Sequence, residues 1–295
     1  MRIEWDPLDS ALLTVQNGAL TIHRGPAQQH IAGTAPWLDA RWLTDGPILG
    51  LDSNAGLSWF RDGKRVEYRT SSEQIERAAL AADGTKFVAL HFGAIVVVDL
   101  AGATFRPRLD GVTLDHSGAT MEISGDGARL AIAYETEQPG RGFAVFDLES
   151  HTVLERSWQS QPLHRLAPVG LAFDHAGKRL AQAIPEDGVP ALGVLRIKGG
   201  DRYPRTRTGG ATAVAIEYRG NLVAYAHRVP LPGARGRLQF DYLESGVKGA
   251  EIVGVLDTQT LESELPDLVA LAFSRDRRRL ACLASNGAVE VVPVP

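Results

Sequence analysis

The chain has 295 residues, of which 44% are hydrophobic, and its formal net charge is −4. This acidic balance argues against a nucleic-acid-binding protein, and the single cysteine, Cys282, excludes an internal disulfide and a zinc site made of several cysteines. The chain has no run of 18 apolar residues and no apolar region behind Met1, so we expect a cytoplasmic protein without a membrane span or signal peptide.

The N-terminal segment sets a pattern that recurs to the end of the chain. Residues 3–22 contain an apolar strand ending at Trp5, a polar turn, a second apolar strand from Leu12, and an Asn-Gly turn before a third strand. Residues 271–292 repeat this order. A unit of this size cannot bury its own hydrophobic face and must stack on copies of itself. The pattern therefore predicts an all-β protein built from repeated small sheets.

Seven copies align on the last large apolar residue of the first strand, which we name the anchor residue. The anchors are Trp5, Trp42, Leu80, Ile123, Phe173, Ile216 and Phe273. The second strands follow with Leu12, Ile48, Phe87, Leu130, Leu180, Leu222 and Leu280. The anchors are 37 to 57 residues apart, which brackets the ~40–45 residues of a four-stranded propeller blade. We predict one seven-bladed β-propeller domain over residues 1–295, with blades at 1–35, 36–72, 73–115, 116–162, 163–208, 209–265 and 266–295.

The turn after each anchor is rich in Asp and Gly, which accept turn dihedral angles that other residues resist. His175 falls in one of these turns, and we interpret it as a solvated loop residue.

The residue before each anchor should lie on the opposite face of the sheet. These residues are Glu4, Arg41, Ala79, Glu122, Ala172, Ala215 and Ala272. The four alanines predict tight contacts between blades, and Glu4 with Arg41 predicts an ion pair between the first two blades. Glu122 has no evident partner, so it is either an exposed or hydrogen-bonded carboxylate or a ligand group in the central channel.

Several predicted third strands alternate and end in Asp, namely Ile95–Asp99, Phe143–Asp147 and Val253–Asp257. Together with the anchor, the Ser-x-Asp turn and the Leu-Ala start of the second strand, this pattern resembles the WD40 superfamily and its bacterial WD40-like relatives over the whole chain. The resemblance implies a WD40-like propeller. No blade contains the Gly-His pair of that family, and Val98, Phe146 and Leu256 stand where it has the Trp of Trp-Asp, so the family's buried polar network does not carry over.

Blades four to six carry the longest predicted loops between second and third strands, at residues 135–142, 185–190 and 228–250. Within the last of these, residues 238–243 alternate and predict an extra hairpin or docking strand. Arginine and aromatic residues nearby have the composition of an interaction surface. The candidate partner-binding residues are Arg202, Tyr203, Arg205, Arg228, Arg235, Arg237, Phe240 and Tyr242.

The last blade ends with its third strand, Ala288–Val292, and is expected to have three strands. Pro293 and Pro295 follow this edge and blunt it, because proline cannot donate to a β-ladder. A partner strand that adds to the edge is the alternative interpretation.

The sequence contains no catalytic or phosphate-binding motif that we could recognise. We therefore expect a non-catalytic scaffold, without a cofactor, that binds a protein partner through the loop face of blades four to six. The alternative is a small-molecule enzyme or sensor with Glu122 in a central channel. A third possibility is a structural subunit that pairs through its edge strand. We expect neither nucleic acid nor membrane as a partner.

Overall fold

The computed structural model describes residues 1–33, 35–43, 46–54, 56–61, 64–69, 75–91, 94–100, 104–105, 120–136, 140–159, 170–183, 194–197, 210–227, 235–245 and 252–295. Within these ranges the regular structure consists of β-strands and no helix, so the predicted all-β class is confirmed. The chain divides into two compact units, Met1–Pro162 and Leu163–Pro295. The division falls between the fourth and fifth of seven antiparallel sheets.

The first unit contains four sheets, each a meander of four consecutive strands. Sheet one consists of β1 (Arg2–Trp5), β2 (Leu12–Gln16), β3 (Ala19–Arg24) and β4 (Ala27–Ile31). Sheet two consists of β5 (Trp37–Trp42), β6 (Ile48–Asp52), β7 (Gly56–Arg61) and β8 (Lys64–Arg69). Sheet three consists of β9 (Arg77–Leu80), β10 (Lys86–His91), β11 (Ala94–Asp99) and β12 (Thr104–Phe105). Sheet four consists of β13 (Thr120–Ile123), β14 (Arg129–Thr136), β15 (Gly140–Asp147) and β16 (Thr152–Gln159).

The described residues of the second unit form three sheets with the same meander order. Sheet five consists of β17 (Gly170–Phe173), β18 (Arg179–Ala183) and β19 (Val194–Arg196). Sheet six consists of β20 (Ala211–Ile216), β21 (Leu222–His227), β22 (Gly236–Ser245) and β23 (Ile252–Ser263). Sheet seven consists of β24 (Leu268–Phe273), β25 (Arg279–Ala284) and β26 (Val289–Pro293). Its three strands are the number expected from the sequence.

The anchor residues organise the seven sheets. Each of them ends the first strand of its sheet, as the alignment predicts. In most sheets the anchor also pairs with the predicted start of the second strand, for example Trp5 with Leu12. In sheet six Ile216 pairs with Val223 rather than Leu222. The turn there has the same length as in sheets three, four, five and seven, so the equivalent of the other second-strand residues is Val223.

Consecutive sheets within each unit share clusters of buried apolar side chains. In the first unit these clusters join sheets one and two, two and three, and three and four. In the second unit they join sheets five and six, and six and seven. Ala79, just before the sheet-three anchor, is fully buried in the same cluster as the large side chain of Tyr134. Small side chains at this position allow dense packing against large ones.

The predicted long loop of blade six is wrong in its central part. Residues 236–245 form β22, the third strand of sheet six, and residues 252–263 form β23, its fourth strand. The segment 253–257, predicted as a third strand, therefore belongs to the fourth. Leu238 and Phe240 are fully buried while Arg237 is exposed, so the alternation is that of a strand in the main sheet. The predicted loop at 135–142 is also mostly strand, and 185–190 lies outside the described residues.

Candidate functional site

The seven turns that follow the anchors share one backbone hydrogen bond. In each, the N–H of the fourth residue after the anchor donates to the C=O of the first, at N···O distances of 2.8 to 3.0 Å. The seven donors are Asp9, Gly46, Gly84, Gly127, Gly177, Gly220 and Arg277, with φ from +54° to +101°. This left-handed region favours glycine, so Asp9 and Arg277 are the exceptions.

In the second unit, three of these turns meet through their side chains. His175 stacks on the ring of Tyr218, with centroids 4.2 Å apart and an interplanar angle of 18°. The guanidinium carbon of Arg275 lies 5.6 Å from the centre of the same ring, within the range of a cation–π contact. The Tyr218 side chain nevertheless remains 45% exposed. One accessible aromatic ring is therefore held by residues from the two neighbouring turns.

Buried Arg179 fixes the Tyr218 turn from the side of sheet five. Its Nη1 donates to the C=O of Gly220 at 2.7 Å, to Asn221 Oδ1 at 2.7 Å and to the C=O of Arg219 at 3.2 Å. A Cβ at Gly220 would lie 2.9 Å from Arg179 Cδ. Glycine at this position is thus required both by its φ of +77° and by the close approach of Arg179.

Arg277 fixes the same turn from the side of sheet seven. Its Nε donates to Glu217 Oε2 at 2.9 Å, and the Glu217 side chain is fully buried. The Glu217 carboxylate also accepts the N–H groups of Arg219 and Asn221, both at 2.8 Å. Three donors therefore compensate the burial of this charge. The ion pair accompanies a non-glycine residue with a φ of +62°, where a left-handed conformation is unfavourable.

The exposed charges on these three turns are predominantly positive. Lys178, Arg219, Arg275 and Arg278 are all exposed. The one exposed carboxylate on the sheet-seven turn, Asp276, accepts hydrogen bonds from Ser274 Oγ at 2.6 Å and from the N–H of Arg278 at 3.0 Å. The hydrogen bond from Ser274 lowers the pKa of Asp276. We name this group the turn surface; it consists of His175, Lys178, Tyr218, Arg219, Arg275 and Arg278.

A second cluster of charges joins the first strands of the first unit. Arg2 on β1 binds Asp39 Oδ1 on β5 at 2.5 Å and Glu122 Oε2 on β13 at 2.9 Å. Arg41 on β5 binds Glu122 Oε1 at 2.5 Å, and its Nη1 lies 3.7 Å from Glu4 Oε1. We name Arg2, Glu4, Asp39, Arg41 and Glu122 the first-strand network.

Asp39 extends the network to sheet three. Its Oδ2 accepts the N–H of Leu80, the anchor on β9, at 2.8 Å. The network therefore joins all four sheets of the first unit.

Burial and pairing act in opposite directions on the network's ionisable groups. Burial alone would lower the pKa of Arg2, but the carboxylates of Asp39 and Glu122 outweigh it and raise that pKa. Burial alone would raise the pKa of Glu122, but Arg2 and Arg41 lower it. For Glu4, burial prevails over the more distant Arg41 and raises the pKa. Glu122 is thus a fully engaged carboxylate, whereas Glu4 is weakly paired.

Both glutamates that precede an anchor, Glu4 and Glu122, belong to the first-strand network. Glu4 and Arg41 approach each other as predicted. Glu122, for which the sequence suggested no partner, binds two arginines, one through each carboxylate oxygen. A carboxylate held this way is a poor metal ligand or general base.

The structure describes four of the eight sequence-predicted partner-binding residues. Arg202, Tyr203, Arg205 and Arg228 lie outside the described residues. Exposed Arg235 pairs with Glu264 at 3.1 Å and Glu262 at 3.7 Å, and Arg237 is exposed on β22.

The two aromatic residues of that set that the structure describes, Phe240 and Tyr242, pack in or against the cluster shared by sheets six and seven. Phe240 is fully buried, with its ring 6.5 Å from that of Phe273, so its side chain is not accessible to a partner in this structure. Tyr242 is half-buried and donates its hydroxyl to the C=O of Pro295 at 2.5 Å. Burial raises the pKa of Tyr242.

Sequence reasoning missed the turn surface although its signal was available. His175, Tyr218 and Arg275 all stand two residues after an anchor. The same position in the first unit carries Pro7, Thr44, Ala82 and Gly125. The contrast between aromatic or cationic residues in the second unit and small residues in the first is the signal that distinguishes these three turns.

Cys282 is fully buried, and burial raises its pKa to about 12, which leaves the thiol unreactive at neutral pH. In the part of the chain that the structure describes, no three His, Cys, Asp or Glu residues gather in a group able to hold a metal ion. The described part also has no helix with the length and apolarity needed to cross a membrane.

Comparison with known proteins identifies the fold and no family. No protein-family model and no curated protein matches the chain. Hydrazine synthase from Kuenenia stuttgartiensis is similar in structure with a TM-score of 0.66, over 99% of this chain and 95% of that chain, at 15% sequence identity. A chain of the mitotic checkpoint complex has a TM-score of 0.67, over 99% of this chain and 88% of that chain, at 14% identity. Both similarities fit a β-propeller-like fold, and at these identities they carry no information on function.

Proposed function

We propose that the chain is a seven-bladed, WD40-like β-propeller that serves as a non-catalytic protein-interaction scaffold and binds an acidic segment of a partner protein through the turn surface. The observation that carries this proposal is the exposed Tyr218 ring in contact with His175 and Arg275, on three turns that carry four exposed cationic side chains. This surface replaces the 228–250 segment, in which residues 236–245 form strand β22 of the main sheet, as the main contact.

The composition of the turn surface supports a protein partner. Tyr and Arg are the residues most often found at energetic hot spots of interfaces. Four exposed cations favour carboxylate-bearing partners. Nucleic acid is the less favoured ligand, because only one aromatic ring is available for base stacking and the net charge of −4 repels a long polyanion.

The rigidity of the turn surface supports the same conclusion. Arg179 and Arg277 tie the Tyr218 turn to both neighbouring turns through buried hydrogen bonds. A surface that is ordered before binding loses little conformational entropy on association. Affinity can therefore arise from a few contacts.

A fluorescein-labelled octapeptide of Asp, Glu and one Leu, titrated by fluorescence anisotropy, tests the proposal. Tyr218→Ala should weaken binding at least about ten-fold, the loss of a modest hot spot, whereas Tyr218→Phe keeps the ring and should bind nearly as the wild type. Arg219→Glu should weaken binding and Arg24→Glu should not, although both change the net charge equally.

Two outcomes would contradict the proposal. Equal effects of Arg219→Glu and Arg24→Glu would show that only the net charge matters and that the turn surface is not the site. Tighter binding of a single-stranded oligonucleotide of the same charge would favour a nucleic-acid ligand over a protein segment.

A further inference from the structure

The third strand of sheet seven differs from the third strands of the four-stranded sheets. The third strands β3, β7, β11, β15 and β22 each lie between a second and a fourth strand. β26 pairs with β25 on one side, and residues 252–295, all of which the structure describes, supply no strand to its other side. One long side of β26 is therefore a sheet edge in the described part of the chain.

The backbone groups on this edge follow from the register of the ladder. Ala284 N–H donates to Ala288 C=O, and Val294 N–H donates to Arg278 C=O. Because antiparallel pairing alternates, residues 290 and 292 also direct their backbone groups towards β25. Val289 and Val291 therefore direct both N–H and C=O away from β25, while Pro293 offers only its C=O.

The strand is held in place by contacts that leave the edge open. The Val292 side chain is buried in the cluster shared by sheets six and seven. Glu290 accepts hydrogen bonds from Ser263 Oγ and from the N–H of Glu264. Beyond the strand, Tyr242 donates its hydroxyl to the C=O of Pro295. The outward backbone groups of Val289 and Val291 are thus presented by a fixed strand.

The side chains beside the edge indicate what kind of strand fits. Val289 and Val291 share one face of the sheet, and Val291 is 41% exposed. β-Branched residues on a neighbouring strand pack well against such side chains. A partner strand must also lack proline at the positions that donate to Val289 and Val291.

We propose that the β26 edge binds an extended, proline-free segment of a partner protein, with β-branched residues at alternate positions, as the fourth strand of sheet seven. This site is separate from the turn surface. Recognition here rests on backbone hydrogen bonds with side-chain contacts adding specificity, whereas the turn surface uses charge.

The test uses a fluorescein-labelled peptide, Lys-Thr-Val-Thr-Val-Thr-Glu, whose lack of net charge gives the turn surface no reason to attract it. We expect saturable binding in fluorescence anisotropy. Val291→Pro removes an outward N–H without touching the ladder to β25 and should weaken binding at least ten-fold. Val291→Thr keeps that N–H and the β-branch and should bind within two-fold of the wild type. A peptide N-methylated at alternate amides should lose binding to the wild type in the same way.

Three outcomes would overturn the proposal. Equal binding by the Val291→Pro and Val291→Thr variants would mean that the edge is not used, provided circular dichroism shows both variants folded. Equal binding of the N-methylated peptide would exclude a backbone ladder. Concentration-dependent dimerisation in analytical ultracentrifugation that Val291→Pro abolishes would assign the edge to a second copy of this chain instead of a partner protein.

Discussion

The two glutamates of the first-strand network should respond differently to neutralisation. Glu122→Gln removes the charge that Arg2 and Arg41 share, so we expect the free energy of unfolding at pH 7 to fall by about 3 kcal/mol. Glu4→Gln removes a carboxylate that burial disfavours and whose nearest Arg41 nitrogen is 3.7 Å away, so the change should stay within about 1 kcal/mol. Urea unfolding followed by circular dichroism measures both values.

The pH dependence of these effects has a definite sign. The folded-state pKa of Glu122 lies below its ordinary value of 4.5, so its contribution is present above that value and is lost as the pH falls through the folded pKa. Glu4 has a raised pKa, and its ionisation therefore weakens the folded state at neutral pH, an effect that disappears on acidification. The stability difference between wild type and Glu122→Gln should shrink below pH 4.5. A difference independent of pH would contradict the assigned pairing.

One pair of this network, Glu4 with Arg41, could be predicted from the sequence. Residues two apart share a face of a strand. The first strand of sheet one carries Arg2 and then Glu4 on one face, and the first strand of sheet two carries Asp39 and then Arg41. The two strands can therefore place opposite charges beside each other. The pairing of Glu4 with Arg41 followed from this alternation. The partners of Glu122 did not, because they depend on how three first strands converge, and the alignment fixed only the position of each within its own sheet.

At the scale of the strand, the alternating segment that forms β22 has two interpretations, a peripheral arm and a strand of the main sheet, and two substitutions distinguish them. Phe240→Ala should lower the free energy of unfolding by about 3–5 kcal/mol, because it leaves a cavity in a fully buried cluster. Arg237→Ala, on the exposed face of the same strand, should change it by less than about 0.5 kcal/mol. Urea unfolding of both variants provides the comparison. A small effect of Phe240→Ala would indicate that residues 236–245 form a peripheral arm and not a strand of the main sheet.

The first and second strands were predictable in every sheet, whereas the third strand was assigned to the wrong segment in sheet six. Every anchor ends its strand because a turn rich in Asp or Gly follows it. A large apolar residue before such a turn is therefore a strong local signal for the end of a strand. The third strand of sheet six has no comparable boundary signal, and the apolar pattern of Val253–Asp257 resembles the third strands of sheets three and four. Local pattern alone cannot tell a third strand from a fourth, since that order is set by pairing along β21 and β23.

At the scale of the whole molecule, charge is distributed unevenly along the chain. Residues 1–150 carry 13 Lys and Arg against 20 Asp and Glu, a net charge of −7, while residues 151–295 carry 18 against 15, a net charge of +3. The sequence thus indicated a basic second half. It did not reveal that His175 and Arg275 contact the Tyr218 ring, because residues from three separate turns come together only through the packing of sheets five to seven.

The two proposed sites of the second unit should differ in their response to salt. Binding of the acidic octapeptide to the turn surface depends on exposed charges, which are screened over about 10 Å at 0.1 M salt, so its dissociation constant should rise steadily as NaCl increases. Binding of the strand peptide, which has no net charge, to the β26 edge depends on backbone hydrogen bonds and apolar contact and should change little. Anisotropy titrations of both peptides over one NaCl series make the comparison, with Arg219→Glu expected to flatten only the first dependence. Equal salt dependence of the two peptides would mean that they share a single, electrostatic site.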